Sequence, residues 1–169
     1  GMAHGAIGGS GTIVGQEFSG EIVATGSEVR GMKEGDRVMC HGTASWADYA
    51  LADWGRTVPI PDANMSFEQA ATLPVALYTM HNAIVTNAKI QPGETILIQG
   101  ASSGVGLMAL QIARLKGAKT VIGTSTNSER RAKLRDFGAD LAVDSKDPNW
   151  ADTVLEATDG KGVDIIIDQ

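Results

Sequence analysis

A glycine-rich turn lies between an apolar segment and an amphipathic segment in the second half of this 169-residue chain. It reads GASSGVG at Gly100–Gly106, directly after the apolar run TILIQ at Thr95–Gln99. Such a run is typical of a parallel strand that is buried on both faces of a sheet. The following spacing predicts a helix over residues 104–116, whose buried stripe we expect to contain Val105, Met108, Ala109, Ile112 and Leu115.

Three further strands are predicted after this unit, at Lys119–Gly123, Leu141–Val143 and Val163–Asp168. Strands that alternate with helices in this way predict a doubly wound parallel sheet, the α/β architecture of a Rossmann domain. Such a domain has two mononucleotide-binding halves, and this sequence contains the first half and the strand that starts the second. We therefore expect an incomplete Rossmann domain that is part of a longer enzyme.

Capping residues mark the helix starts between these strands. Thr126 and Glu129 have the spacing of a capping box, which predicts a helix that ends at Phe137. Asp147 followed by Pro148 is typical of an N-cap and a first helical residue, which predicts another helix after that pair.

The beginning of the chain has a different pattern, in which short strands alternate with turns. The candidate strands are Glu17–Thr25, Arg37–Cys40 and Thr57–Ile60, and their spacing predicts a small barrel or sandwich. We therefore predict two domains, a partial β domain at residues 1–65 and the Rossmann domain at residues 66–169.

A capping box also marks the predicted start of the second domain. Ser66 and Gln69 have the required spacing and predict a helix that begins there. Pro74 should break or kink this helix, because proline lacks the amide proton that the helical ladder needs. Helical character then resumes through about Asn87.

The glycine-rich turn predicts a pyrophosphate site because it joins a strand to a helix. Gly104 and Gly106 carry no Cβ, so the backbone can approach a ligand and the helix can pack closely on the strand. The first helical amides and the helix dipole favour an anion at this position. The alternative is a tight strand-to-helix turn without a ligand. The expected cofactor contacts are Ser102, Ser103, Gly104, Val105 and Gly106.

The segment after the second strand of the sheet favours NADP(H) over NAD(H). An NAD site usually places an acidic residue there to bind the ribose 2′-hydroxyl, and residues 123–128 contain none. Hydroxyl groups and cations suit a 2′-phosphate. Alternatively, the basic residues form a solvated helix face, and residues 130, 131 and 133 cannot all face one ligand. The candidate residues are Thr124, Ser125, Thr126, Arg130 and Arg131.

The same turn fits the Gly-x-x-x-Gly-x-Gly pattern of short-chain dehydrogenases. Those enzymes need a Tyr-x-x-x-Lys pair, but Asp53 follows Tyr49 and Asn82 follows Tyr78 at that spacing. That family also places the turn near its N-terminus, whereas about 95 residues precede it here. We therefore reject this alternative.

The order of motifs resembles the medium-chain dehydrogenase/reductase superfamily, specifically its zinc-free quinone oxidoreductase and enoyl reductase branch. The resemblance implies a GroES-like β domain followed by a Rossmann domain. The motifs, besides the turn itself, are GQEFSGEIV at Gly15–Val23, GDRV at Gly35–Val38, AATLP at Ala70–Pro74, PGE at Pro92–Glu94, GAD at Gly138–Asp140 and GVD at Gly162–Asp164.

The metal ligands of the zinc-dependent relatives are missing from the matching positions. Gln16 stands where those relatives have histidine, and a glutamine amide is a poor zinc ligand. Cys40 is the one cysteine of the chain, where those relatives carry a cysteine-rich lobe. We therefore predict no metal site and interpret Cys40 and His41 as structural residues.

The resemblance further implies hydride transfer from NADPH to a quinone or an activated C=C bond. It places Thr79 near the nicotinamide, although Thr79 could equally serve helix packing, and it places Val143–Ser145 near the 2′-phosphate or adenine. No catalytic residue can be assigned. The alternatives are an inactive nucleotide-binding or structural member, or a zinc-independent enzyme that resembles alcohol dehydrogenases. Full-length relatives often pair, which implies a homodimer.

Composition excludes several other function classes. The net charge is −6 without a basic run, and 5% of the residues are aromatic, so we expect no nucleic-acid partner. No segment has the length and apolarity of a membrane span, so we expect no membrane partner. A single cysteine fits a reducing compartment, and we predict a cytoplasmic protein that acts on a small-molecule substrate.

Overall fold

The computed structural model describes residues 13–169, and the chain divides into two compact units between Val75 and Ala76. In the first unit, three strands form an antiparallel sheet in the order β1-β2-β3. They are β1 at Glu17–Glu21, β2 at Arg37–His41 and β3 at Thr57–Pro59. The predicted short strands of this half are therefore confirmed. The domain boundary between residues 65 and 66 stays a prediction.

Strand β1 is shorter than the predicted segment Glu17–Thr25. Its last residue, Glu21, pairs with Arg37, the first residue of β2. Beyond that pair, Ile22 exchanges backbone hydrogen bonds with the turn at Gly35–Asp36, at 2.9 and 3.0 Å. The strand ends where its partner turns away, because a ladder needs backbone groups on both sides.

Cys40 lies at the centre of this sheet and is 1% exposed. Its thiol accepts a hydrogen bond from Thr57 Oγ1 at 3.4 Å and donates one to the His41 carbonyl oxygen at 3.4 Å. Burial raises the pKa of the Cys40 thiol above its ordinary value of 9.0, and the Thr57 hydroxyl offsets part of that rise.

We expect native Cys40 to react with iodoacetamide much more slowly than in denaturant, because the reactive thiolate is disfavoured and inaccessible. The pKa of Cys40 is higher in the folded protein than in the unfolded chain. The contribution of the protonated thiol to stability is therefore complete below the unfolded pKa, and it is lost as the pH rises through the folded pKa. Mass spectrometry of the Cys40 peptide measures the labelling rate. Equal rates in the native and denatured protein would contradict this placement.

Two helices follow the first sheet. Helix α1 at Phe67–Ala71 begins with the predicted capping box, in which Ser66 Oγ accepts from the Gln69 amide and Gln69 Oε1 accepts from the Ser66 amide. Helix α2 at Pro74–His81 begins at the proline, so the predicted break is confirmed. It continues as a π-helical segment at Asn82–Asn87.

The second unit contains a four-stranded parallel sheet in the order β6-β5-β4-β7. Its strands are β4 at Thr95–Ile98, β5 at Thr120–Thr124, β6 at Leu141–Val143 and β7 at Ile165–Ile167. Strands β5 and β6 extend the sheet on one side of β4, and β7 lies on the other side. The order therefore reverses beside β4, which is the topological switch point of a doubly wound sheet. The predicted fold class is confirmed.

Apolar residues cover both faces of this sheet. Three further helices of this unit are α3 at Gly104–Leu115, α4 at Ser128–Ala132 and α5 at Trp150–Ala157. One core cluster joins α3 to side chains that include Ile96 and Ile98, and the other joins Val154 of α5 to Leu97 and Ile122. Successive residues of a strand face opposite sides, so β4 contributes to both clusters.

One residue of the predicted α3 stripe does not lie in the core. Leu115 is 83% exposed, whereas Ala109, Leu110 and Ala113 are fully buried. Each helical residue turns by about 100°, so Leu115 lies on nearly the opposite side of the helix from the face that these three residues define. The prediction for Leu115 was wrong, and Leu110 belongs to the core.

Two predicted helix starts are also corrected. Asn127, not Thr126, caps α4, because Asn127 Oδ1 accepts from the Arg130 amide at 2.9 Å and asparagine is a stronger N-cap than threonine. Helix α4 ends at Ala132, and a 3₁₀ turn continues to Phe137.

The other correction concerns the Asp147–Pro148 pair. Asp147 Oδ1 accepts from the Asn149 amide at 2.9 Å, which is the hydrogen bond of an Asx turn. Helix α5 therefore begins only at Trp150, after this turn.

Candidate functional site

The amides at the start of α3 form the centre of the candidate site. Ser103 is the N-cap, and its Oγ accepts from the Gly106 amide at 3.0 Å. The amides of Gly104 and Val105 meet no acceptor among residues 13–169. The first amides of any helix lack partners within the helix, and the helix dipole adds partial positive charge beside them. This helix end can therefore bind an anionic group.

The two glycines of α3 have different surroundings. A Cβ at Gly106 would lie 2.7 Å from both Ala101 Cα and the Gly100 carbonyl oxygen, so only glycine lets the helix approach the turn this closely. A Cβ at Gly104 would meet no heavy atom of the described chain within 4 Å. Gly106 therefore serves the packing of the turn, while Gly104 faces open space beside the unpaired amides.

The end of β5 holds the glycine-rich turn in place. Thr124 accepts from the Gly100 amide at its Oγ1 (3.1 Å) and from the Ala101 amide at its carbonyl oxygen (2.9 Å). The Ser125 hydroxyl donates to Ser102 Oγ at 2.9 Å. Thr124 and Ser125 are both buried. The structure thus brings three of the predicted site residues together and gives their hydroxyl groups partners within the protein.

The two candidate arginines on α4 have different environments. Arg131 is partly buried, and its Nη1 donates to the Ser125 carbonyl oxygen at 2.7 Å and to Asp144 Oδ2 at 2.9 Å. Arg130 is exposed, and its guanidinium makes no hydrogen bond or ion pair with residues 13–169. Thr126, which lies between β5 and α4, is also exposed. Arg130 is therefore the arginine whose charge remains available to a ligand.

Two further residues contact predicted site residues. Asp144 contacts Arg131 and belongs to the segment Val143–Ser145 that the resemblance places near the 2′-phosphate or adenine, whereas Gln169 was not predicted. Asp144 follows β6, and its Oδ1 also accepts from the Lys146 amide at 3.0 Å. Gln169 follows β7, and its Oε1 accepts from the Ser103 hydroxyl at 2.9 Å. The carboxyl ends of parallel strands meet at one edge of the sheet, so the strand order could have indicated both neighbours. The order itself depends on long-range pairing that local patterns do not specify.

The remaining predictions concern the nicotinamide end, metals and membranes. Thr79 lies on α2 with an exposed side chain, and its predicted role stays a prediction. No three His, Cys, Asp or Glu side chains are grouped as metal ligands in the described part of the chain. The absence of zinc also stays a prediction. Among the helices of residues 13–169, none has the length and apolarity needed to cross a membrane.

Two protein-family models match the chain. The model for the alcohol dehydrogenase GroES-like domain matches residues 2–62, and the model for zinc-binding dehydrogenases matches residues 104–169. The chain belongs to the medium-chain dehydrogenase/reductase superfamily. The antiparallel sheet is part of the GroES-like domain of this superfamily, and the parallel sheet is part of its Rossmann domain.

Known members of the superfamily are similar to the chain over almost its whole length. The quinone oxidoreductase of Rattus norvegicus is 36% identical over 156 residues, which are 91% of this chain and 47% of the relative. The chain spans about half the length of such quinone oxidoreductases, and 6–7% of the polyketide synthases that it also matches.

Two solved structures have the same fold. The CurK enoyl reductase superposes with a TM-score of 0.84 at 31% identity. The match covers 94% of this chain and 47% of the CurK enoyl reductase chain. The quinone oxidoreductase of Escherichia coli, solved as a complex with NADPH, superposes with a TM-score of 0.79 at 29% identity. The match covers 92% of this chain and 48% of the Escherichia coli protein.

Proposed function

We propose that the turn at Gly100–Gly106 binds the pyrophosphate of NADP(H). The observation that carries this proposal is the start of α3, where the amides of Gly104 and Val105 meet no acceptor in the described residues 13–169 and lie beside the open space at Gly104. A dinucleotide needs this combination of backbone donors and close approach. The NADPH complex of the Escherichia coli relative supports the same cofactor.

The preference for the phosphorylated cofactor rests on charge. Residues 123–128 contain no acidic side chain that could bind a ribose 2′-hydroxyl. The exposed Arg130 follows them, and its guanidinium has no hydrogen bond or ion pair with residues 13–169. An arginine near this position accommodates a 2′-phosphate. The proposed site consists of Thr79, Ser102, Ser103, Gly104, Val105, Gly106, Thr124, Ser125, Thr126, Arg130 and Arg131.

We further propose that the intact protein is a zinc-free oxidoreductase that reduces a quinone or an activated C=C bond of a small-molecule substrate. The nicotinamide, when bound, supplies the hydride. The residues of this chain bind and orient the adenosine and pyrophosphate part, which fixes the cofactor for that transfer. Gln16 in place of a histidine ligand supports a reaction without zinc. The similar quinone oxidoreductases and enoyl reductase support the substrate class.

Assembly, domain limits and compartment complete the proposal. We propose a GroES-like domain at residues 1–65, an NADP(H)-binding domain at residues 66–169 and a homodimer of the intact protein. A single, buried cysteine supports a cytoplasmic location, because it fits a reducing compartment.

We expect the intact protein to oxidise NADPH in the presence of at least one member of a panel of quinones and enones. Metal analysis of the active protein should find no stoichiometric zinc, and chelation should leave turnover unchanged. Stoichiometric zinc whose removal abolishes turnover would overturn the zinc-free assignment. Cofactor binding without turnover on any substrate would instead favour the inactive member of the superfamily, and alcohol oxidation alone would favour a zinc-independent alcohol dehydrogenase.

A further inference from the structure

Arg131 connects the ends of two neighbouring strands at the edge of the parallel sheet where the glycine-rich turn lies. Its Nη1 contacts the Ser125 carbonyl oxygen, directly after β5, and Asp144 Oδ2, directly after β6. The Ser125 amide donates to the Val143 carbonyl oxygen at 3.1 Å, so the backbone also joins these two segments. Arg131 thus joins the segment after β5, which contains no acidic residue, to Asp144, which follows the neighbouring strand β6.

Both oxygens of the Asp144 carboxylate have donors within the chain. Oδ2 accepts from Arg131 and Oδ1 accepts from the Lys146 amide. The side chains of Arg131 and Asp144 are 23% and 31% exposed, so solvent screens this pair less than a fully exposed one. A carboxylate in this state has a donor at each oxygen and a compensated charge, so it competes less well for a ribose hydroxyl and repels a phosphate less.

The charge of Asp144 matters because its position is close to the proposed 2′-phosphate site. Ser125 and Asp144 lie at the ends of adjacent strands whose register pairs Thr124 with Val143. An unpaired carboxylate there would repel a phosphate and could accept from a ribose 2′-hydroxyl, which is how acidic residues favour NAD(H). With Arg131 in place, Arg130 contributes the net positive charge.

We propose that Arg131 is a positioning residue that sets the preference for NADPH over NADH by neutralising Asp144, and not by contacting the phosphate itself. This inference rests on the proposed function, because it assigns a role within the same cofactor site. It also assigns separate roles to the two neighbouring arginines, with Arg130 facing the ligand and Arg131 facing Asp144.

A double-mutant cycle in the intact protein tests the proposal. Fluorescence titrations give the Kd for NADPH and for NADH in the wild type, Arg131→Met, Asp144→Asn and the double variant at low ionic strength. We expect Arg131→Met to lower the NADPH preference roughly fivefold, because the Asp144 carboxylate would then be uncompensated and would repel the 2′-phosphate. Asp144→Asn should keep or raise the preference, and the double variant should recover it to within about twofold of the wild type.

The recovery in the double variant separates the two roles of Arg131. A double variant whose preference stays as low as that of Arg131→Met would show direct phosphate contact and overturn the proposal, as would an unchanged preference in Arg131→Met. A merely structural role would weaken both cofactors equally and leave the ratio unmoved. Arg131→Lys, which keeps the charge, provides a second test if Arg131→Met does not fold, because a roughly fivefold loss of preference in that variant would contradict charge compensation.

The cofactor preference of the wild type separates failure of the proposed NADP(H) site from failure of the proposed role of Arg131. Without any NADPH preference in the wild type, the proposed cofactor itself fails. A wild-type preference that persists in Arg131→Met and falls in Arg130→Met refutes only the role of Arg131.

Discussion

Gly106→Ala is expected to lower the free energy of unfolding of the intact protein by about 2 kcal/mol. The new Cβ would lie 2.7 Å from the backbone of Gly100 and Ala101, and such overpacking costs about 3 kcal/mol. The better helix propensity of alanine returns about 1 kcal/mol. Thermal unfolding followed by circular dichroism should show Tm lower by roughly 4–8 °C for a cooperative unit of about 150–250 residues, and by less for a longer one.

The contacts at Gly106 are with backbone atoms, so no side-chain rearrangement can relieve them. The turn must shift, and with it the amides of Gly104 and Val105, so we also expect weaker NADPH binding. An unchanged Tm in Gly106→Ala would mean that α3 does not approach the turn as closely as described here.

Gly104→Ala makes the same chemical change two residues earlier and should have the opposite pattern of effects. A Cβ at this position meets no atom of residues 13–169 within 4 Å, so we expect a Tm equal to or slightly above that of the wild type. The affinity for NADPH should fall about tenfold or more, because the methyl group would occupy the space that we assign to the pyrophosphate.

The two alanine variants control for each other. Isothermal titration with NADPH and thermal unfolding of the same samples separate loss of binding from loss of fold. If Gly104→Ala bound NADPH as tightly as the wild type, the turn would be a tight connection without a ligand, the alternative that the sequence leaves open.

Local sequence patterns predicted the elements whose formation depends on nearby residues. The capping box at Ser66 and Gln69 forms as predicted, since both partners lie within one helical turn. The apolar run at Thr95–Gln99 became the central strand β4, because a fully apolar strand must be covered on both faces. The position of the glycine-rich turn was also predicted correctly, because the strand before it and the helix after it both have strong local patterns.

Features that depend on tertiary packing could not be predicted in this way. Leu115 has the spacing of a core residue, but the direction from which the sheet approaches α3 leaves it exposed. Asn127 replaced Thr126 as the cap, because several neighbouring residues were suitable and only the backbone path selects among them.

The pair of Arg131 and Asp144 illustrates the same limit within the candidate site. Thirteen residues separate the partners, and they meet only because β5 and β6 are adjacent in the sheet. Residues 123–128 after β5 contain no acidic side chain, and the carboxylate at this edge comes from Asp144 after β6. The resemblance indicated the segment Val143–Ser145, but the pairing of Asp144 with Arg131 depends on the tertiary fold.

The assignment of the site to NADP(H) is tested by comparing the binding of NADPH and NADH to the intact wild-type protein. Each cofactor is titrated at the same ionic strength, and the two Kd values are compared. We expect NADPH to bind about tenfold more tightly or better, because the phosphate gains charge-assisted hydrogen bonds that a hydroxyl does not make. Equal affinities, or tighter binding of NADH, would contradict the assignment of the site to NADP(H).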